Sequence, residues 1–368
     1  MNTSALNIPP VAVNTLKDAL LAQFSDPVLR SRATMLWGTR GVGKSSVVKQ
    51  VADAASVPLI DLRLTTIEPV DLRGALFADD DLKQTVWFPP EFLPKKDQTS
   101  GILFLDELTA ADQRLQTSAY SLILDRRVGD YQLPDGWMII AAGNAAFHGA
   151  VSYDMGTALA DRLFHFHVQS VVDAFLDYAL SHGLAPEVMA FLQVRPDKLD
   201  DTTQQLAQDH LTGASPRGWE DVSRVLQSAL NSQQKQLYIQ ARIGAANAAE
   251  FLAAIREIQA GSNVIALLDA SPGDVTSALL PRSLDALYGL VYALASSATE
   301  RTRINRIIEI VEQFTDMPGN LPTQESQTLA MELILKKSLE AGIEDEVIKS
   351  PAWSRYSEKL TDDVNNRA

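Results

Sequence analysis

Gly38-Thr39-Arg40-Gly41-Val42-Gly43-Lys44-Ser45 fits the pattern G-x-x-x-x-G-K-[ST] at every fixed position, and its reading decides the fold. The glycines let the main chain wrap closely around phosphate groups and turn several N–H groups inward. Lys44 supplies a mobile positive charge for β- and γ-phosphates, and Ser45 offers a hydroxyl to a magnesium ion. The predicted phosphate cradle comprises Gly38, Thr39, Arg40, Gly41, Val42, Gly43, Lys44, Ser45 and Ser46. An apolar strand, Ala33–Trp37, precedes the loop and a helical pattern, Ser45–Ala55, follows it. That helix adds the positive end of its dipole to the cradle. A fortuitous glycine turn would not need such a setting.

Downstream, Ile102-Leu103-Phe104-Leu105-Asp106-Glu107 reads as a buried strand ending in two acids. Beside a phosphate loop, Asp106 is placed to hold magnesium through its water shell, and Glu107 to polarise an attacking water. Many strands end in merely solvated carboxylates, so the pattern draws its meaning from the loop upstream.

Working outward, Val57–Arg63, Trp137–Ala142 and Leu163–Val168 also read as buried strands. Between them Asp112–Arg126 reads as a helix, opening on Thr109-Ala110-Ala111-Asp112 as a capping box, with Leu115, Ala119, Leu122 and Ile123 on one face. This alternation predicts an α/β fold, a mostly parallel sheet covered on both faces. Two segments read as inserted β-hairpins. One runs from Gly74-Ala75-Leu76-Phe77 through Asp79-Asp80-Asp81 to Thr85-Val86-Trp87-Phe88; the other is Arg127–Trp137, turning at Pro134-Asp135-Gly136. After about residue 170 the strand signals fade. Val172–Leu180, Glu187–Leu192, Trp219–Leu230, Ala246–Ile258, Ser283–Ala295 and Thr299–Phe314 read as helices, with Gly-, Pro- and Ser-rich loops at 270–281 and 315–327.

The 368 residues suit two domains, and 46% apolar residues supply a core. With 32 basic and 46 acidic side chains the net charge is −14, which argues against non-specific binding to nucleic acid or an anionic membrane. There is no cysteine, which excludes disulfides and thiolate chemistry. The N-terminus has neither the basic region nor the unbroken apolar run of a signal peptide, and no run approaches the ~18 apolar residues of a membrane span. A cytoplasmic location is the expectation.

Three further residues invite a catalytic reading. Asn144 ends the strand Ala141-Ala142-Gly143, where a neutral amide can orient water toward a γ-phosphate; a turn asparagine fits equally well. Arg162, in Ala160-Asp161-Arg162-Leu163, and Arg217, in Ser215-Pro216-Arg217-Gly218, each offer a guanidinium to developing phosphate charge or a surface ion pair. His165 and His167 share a strand face but have no third ligand, so a core strand is the simpler reading. Trp37, Trp87, Trp137, Trp219 and Trp353 are scattered, with no basic–aromatic stripe.

In this order, the phosphate loop, Leu105-Asp106-Glu107, Asn144, Asp161-Arg162 and Ser215-Pro216-Arg217 resemble AAA+ ATPases. Leu72-Arg73-Gly74, the two hairpins, Asp125-Arg126-Arg127 and Gly244-Ala245-Ala246-Asn247-Ala248-Ala249-Glu250-Phe251 resemble the MoxR family within the helix-2-insert clade. The resemblance covers roughly residues 8–260. It implies a five-stranded parallel sheet with hairpin inserts, an all-α lid and ring assembly, usually as a hexamer. It also implies Asn144 as the sensor-1 residue, Arg162 as an arginine finger reaching a neighbour's nucleotide and Arg217 as the sensor-2 arginine. The inserts map to about 73–89 and 127–137 and face the pore side in that clade. Arg40 stands where a proline is frequent, and Ala142-Gly143-Asn144 is closer to the branch that activates metalloenzymes and carboxylases.

The expected domains are therefore 1–170, nucleotide-binding; 171–265, helical lid; and 266–368, a C-terminal helical extension that falls outside the resemblance and is expected to carry target specificity. The resemblance implies a magnesium-dependent ATPase, with ATP and Mg²⁺ as ligands. It acts as a chaperone-like remodeller of a protein substrate, often beside a partner carrying a von Willebrand factor A domain. A DNA-directed motor and a nucleotide-gated binding module with vestigial hydrolysis are the alternatives.

Overall fold

The computed structural model describes residues 7–79, 84–144, 157–261, 264–269, 280–317 and 321–357. Of the loops expected from sequence, Asp80 and Asp81 of the acidic turn, residues 270–279, and residues 318–320 lie outside the described residues. The chain divides into two compact units, 1–171 with 202–210, and 172–201 with 211–368.

Ten strands are described in the first unit: β1 (Pro10–Ala12), β2 (Thr34–Trp37), β3 (Leu59–Arg63), β4 (Ala75–Asp79), β5 (Gln84–Phe88), β6 (Ser100–Asp106), β7 (Arg127–Val128), β8 (Tyr131–Gln132), β9 (Gly136–Gly143) and β10 (Phe164–Gln169). Six form one parallel sheet in the order β1-β10-β2-β9-β6-β3. Strand alternation sends Ile102 and Phe104 to one face, and Leu103 and Leu105 to the other. The first face packs on Leu16 and Leu20 of the helix Val13–Ser25 and on Val47, Val48 and Val51 of the helix Lys44–Ala55. The second packs on Leu115, Ala119 and Leu122 of the helix Gln113–Asp125. Burial contributes about 1.5–3 kcal/mol for each large apolar side chain, so both layers hold the sheet firmly.

The register decides where the chemistry sits. Trp37 is opposite Gly143, Leu105 opposite Ala141, and Arg63 opposite Asp106. The phosphate loop, the acidic pair and Asn144 therefore all leave the sheet at the C-terminal ends of their strands, along one edge.

Three local expectations are corrected. The sheet has a sixth strand beyond the expected five: β1 pairs alongside β10, from Pro10 opposite His167 to Ala12 opposite Gln169. Three residues are too short for a periodic pattern, and an edge strand tolerates a proline without a ladder N–H. The helix Gln113–Asp125 is capped by Asp112, whose Oδ1 accepts from the N–H groups of Arg114 and Leu115 at 2.7 and 2.9 Å, rather than by a box opening at Thr109. The second hairpin turns at Gly129-Asp130, between Val128 and its partner Tyr131; Pro134-Asp135-Gly136 does form a tight turn, closed by the Trp137 N–H on the Pro134 carbonyl at 3.1 Å, but that turn leads into β9. Gly129 stands at φ +55°, a left-handed conformation that glycine adopts readily.

The second unit is helical throughout its described residues. The rings of Phe191, Trp219 and Phe251 stand 5.2–5.3 Å apart at its centre. One apolar cluster runs from Phe175 to Tyr356, with both 171–265 and 266–368 contributing to it. The helices Ser232–Ile243 and Thr323–Glu340 add to those expected, the latter beginning inside the loop predicted at 315–327. The stretch Ala245–Asp269 is long and apolar enough to cross a membrane by length and composition, contrary to the expectation that no run is. Within it, the helix Ala245–Gly261 buries Phe251, Ala254, Ile255 and Ile258 in this unit's own core, while Ile265 stands 73% exposed.

Candidate functional site

The phosphate loop leaves β2 at Gly38 and enters the helix Lys44–Ala55 through Gly43 at φ +106°. Gly38 lies so close to β10 that a Cβ there would stand 2.9 Å from the carbonyl oxygen of Val168, a spacing that no side chain tolerates. The Lys44 ammonium donates to the carbonyl oxygens of Gly38 and Thr39 at 2.8 and 3.0 Å and to Asn144 Oδ1 at 3.0 Å. Arg40 and Ser46 are exposed. Ser45 Oγ donates to Asp106 Oδ2 at 3.2 Å, while Asp106 Oδ1 accepts from the Glu107 N–H at 2.8 Å.

Glu107 stands at φ +60°, ψ +31°, ending β6 in a sharp change of direction. Its carboxylate accepts a hydrogen bond from Thr65 Oγ1 on the turn after β3. Asp61, on β3, has its carboxyl pushed above the ordinary range, first by burial and then by the Asp106 carboxylate; Arg63 opposes both. Asn144 is tied at its main chain to Thr109: its N–H donates to Thr109 Oγ1 and its carbonyl accepts from that hydroxyl, each at 3.1 Å. The structure thus brings Lys44, Ser45, Asp106, Glu107 and Asn144 into one connected group.

Arg162 is exposed on the turn between the helix Thr157–Ala160 and β10, and makes no ion pair among the described residues. That turn is tied to the phosphate-loop strand. Trp37 Nε1–H donates to His165 Nδ1 at 2.9 Å, which assigns the imidazole proton to Nε2, and Nε2 donates to the Ala160 carbonyl at 2.7 Å. With both nitrogens engaged, His165 has none left for a metal, and no group of three or more His, Cys, Asp or Glu among the described residues could hold one. Arg217 belongs to the second unit. It is exposed, at the start of the helix Pro216–Gln227, which Ser215 Oγ caps by accepting from the Gly218 N–H at 3.1 Å. Arg217 likewise makes no ion pair among the described residues, so the surface-pair alternative is realised for neither arginine there.

Residues 34–148 match the family described as "ATPase family associated with various cellular activities (AAA)". These residues have the fold of an AAA P-loop NTPase. The matched span opens at the first residue of β2 and extends past Asn144, so it holds the loop, the acidic pair and Asn144, while Arg162 and Arg217 follow it. The chain is also similar to midasin of Giardia intestinalis, 25% identical over 189 residues; this is 50% of the chain but only 4% of midasin's length. Among solved structures it is similar to NtrX from Brucella abortus in complex with ADP, at 17% identity and a TM-score of 0.36, covering 86% of this chain and 68% of that one. A crystal structure of a protein from Cytophaga hutchinsonii gives 13% identity and a TM-score of 0.34, covering 86% and 79%.

Thr65, Thr109, Trp37 and His165 were missed as site residues in the sequence. No motif marks them in this role, because each acts through a bond to a residue distant in the chain.

Proposed function

We propose that this chain binds ATP with magnesium and hydrolyses it to ADP and phosphate. It does so as a MoxR-like AAA+ ring, a hexamer, that remodels or activates a partner protein. The observation that carries the hydrolytic reading is the joining of Lys44 to Asn144 and of Ser45 to Asp106 along one sheet edge. An ammonium, a hydroxyl, two carboxylates and an amide are the groups that phosphoryl transfer to water requires.

Lys44 exchanges carbonyl and amide acceptors for phosphate oxygens, while the loop's N–H groups and the helix end hold the remaining negative charge. Ser45 and Asp106, an all-oxygen pair, would hold magnesium, a hard cation that would supply positive charge to the phosphates. Glu107 accepts a proton as water attacks the γ-phosphorus; the bond to the β–γ bridging oxygen breaks and its electrons leave with ADP. Asn144 orients that water. Arg162 of one copy reaches the nucleotide of the next, and Arg217 is the sensor-2 arginine that the resemblance implies.

The MoxR-like part rests on resemblance, supported by hairpins where the clade's inserts are expected. The hairpin of β4 and β5 directly follows Leu72-Arg73-Gly74, and its Phe77 and Phe88 rings meet edge to face at 4.9 Å while remaining 53% and 55% exposed. A protein substrate, a partner with a von Willebrand factor A domain and a cytoplasmic setting follow from the same resemblance.

Turnover and nucleotide binding by the full chain test this reading. Lys44→Ala is expected to abolish binding of a fluorescent ATP analogue. Glu107→Gln is expected to keep that binding and lower kcat by about 10²–10⁴. Unchanged turnover in Glu107→Gln would refute hydrolysis at this site.

A further inference from the structure

β9 reaches its last ladder pair at Gly143, opposite Trp37, so the main-chain N–H and C=O of Asn144 lie just beyond the sheet. Polar groups at that position cost free energy unless something satisfies them. Thr109 does so for both, through a single hydroxyl that accepts from the Asn144 N–H and donates to the Asn144 carbonyl, each at 3.1 Å. Thr109 is 3% exposed and sits in the single turn Leu108–Ala110 that follows the acidic pair. Its approach depends on the neighbouring glycine: a Cβ on Gly143 would stand 2.6 Å from Thr109 Oγ1 and 2.7 Å from its methyl. The same asparagine presents Oδ1 to Lys44 Nζ at 3.0 Å.

We infer that Thr109 is a positioning residue for hydrolysis. It fixes the main chain of Asn144, so that the amide is held against Lys44 where the γ-phosphate and the attacking water meet. One hydroxyl thereby links the segment carrying Asp106 and Glu107 to the end of β9. The inference rests on the proposed ATPase reading and on Asn144 acting in it. Thr109, buried and bonded to the main chain of Asn144, acts through that residue. Misplacing a group by about 1 Å can cost ~10²-fold in rate, so loss of this clamp is expected to appear in kcat and not in nucleotide affinity.

The test is steady-state turnover by the full chain carrying Thr109→Val, Thr109→Ser, Asn144→Ala and the Val–Ala double substitution. Thr109→Val keeps the shape and removes both bonds. It is expected to lower kcat by about 10- to 100-fold with KM for ATP within about twofold. Thr109→Ser restores the hydroxyl and is expected to restore kcat. In the Asn144→Ala background Thr109→Val is expected to add nothing, since its whole effect passes through the amide. Wild-type kcat in Thr109→Val, beside a slow Asn144→Ala, would overturn the inference. So would a full additional loss in the double variant, which would mark Thr109 as a packing residue. If Thr109→Val does not fold, Thr109→Ala is read against the same outcomes. A different result, unchanged turnover in both Asn144→Ala and Glu107→Gln, would instead sink the ATPase reading itself.

Discussion

At the scale of single residues, the site is held by charge placed ahead of need. Three oxygens already surround the Lys44 ammonium, so in the proposed function exchanging them for phosphate oxygens would require little rearrangement. Asp61 is the opposite case, a carboxyl made less comfortable by the fold through burial and the neighbouring Asp106. Its folded-state pKa lies above its unfolded value, so the ionised form is penalised in the folded chain. That penalty is absent well below the unfolded pKa, grows as pH rises between the two values, and is complete above the folded one. Asp61→Asn is therefore expected to raise the thermal midpoint at neutral pH by about 1–2 °C, the side chain being solvent-screened, and to give no gain near about pH 3. Thermal melts of both proteins across that range check it. Lys44, Ser45, Asp106 and Glu107 were legible in the sequence because phosphate chemistry demands their residue types at fixed spacings. Thr109 and His165 were not: they meet their partners across 35 and 128 positions, and a lone threonine or histidine carries no pattern.

Among the elements, caps and hairpins show where local signals rank correctly and where they do not. Asp112 satisfies two N–H groups at the start of Gln113–Asp125, the helix that covers one face of the sheet. Asp112→Ala is expected to cost about 1 kcal/mol of stability, read as a lower urea midpoint with an unchanged slope. Thr109-Ala110-Ala111-Asp112 looked like the cap because its spacing is right, yet Thr109 is engaged with Asn144 instead. A tertiary bond outcompeted a local one. The second hairpin follows the same logic. Pro134-Asp135-Gly136 is the stronger local signal and does make a tight turn, but the hairpin's own reversal is at Gly129-Asp130, where contacts from elsewhere hold it. Asp130 Oδ2 accepts from the Trp87 N–H at 3.0 Å, and the Tyr131 hydroxyl donates to the Pro94 carbonyl at 2.8 Å. The two inserts are thus bonded to each other, a relation that their separate sequences did not announce.

For the whole molecule, the exposed Arg162 is the residue whose proposed role lies beyond a single chain. If it completes a neighbour's site, Arg162→Ala and Glu107→Gln are each expected to be inactive alone, since an arginine finger is worth ~10³–10⁵ in rate. Mixed and allowed to exchange subunits, they are expected to recover part of the wild-type turnover, because an intact Glu107 then meets an intact Arg162. No recovery, with exchange shown by labelled subunits, would remove Arg162 from that role. By itself the sequence determined the order of the strands over residues 34–148, the phosphate loop and the acidic pair. Each of these is written in short-range periodicity or in fixed spacing, and short-range forces suffice to express it. Only the tertiary structure decided the sixth strand, the clamp on Asn144, the tie between Trp37, His165 and the Arg162 turn, and the bond between the hairpins. Those depend on which strands lie side by side and in what register. That choice is made by burying both faces of one sheet at once, and no local window of sequence contains it.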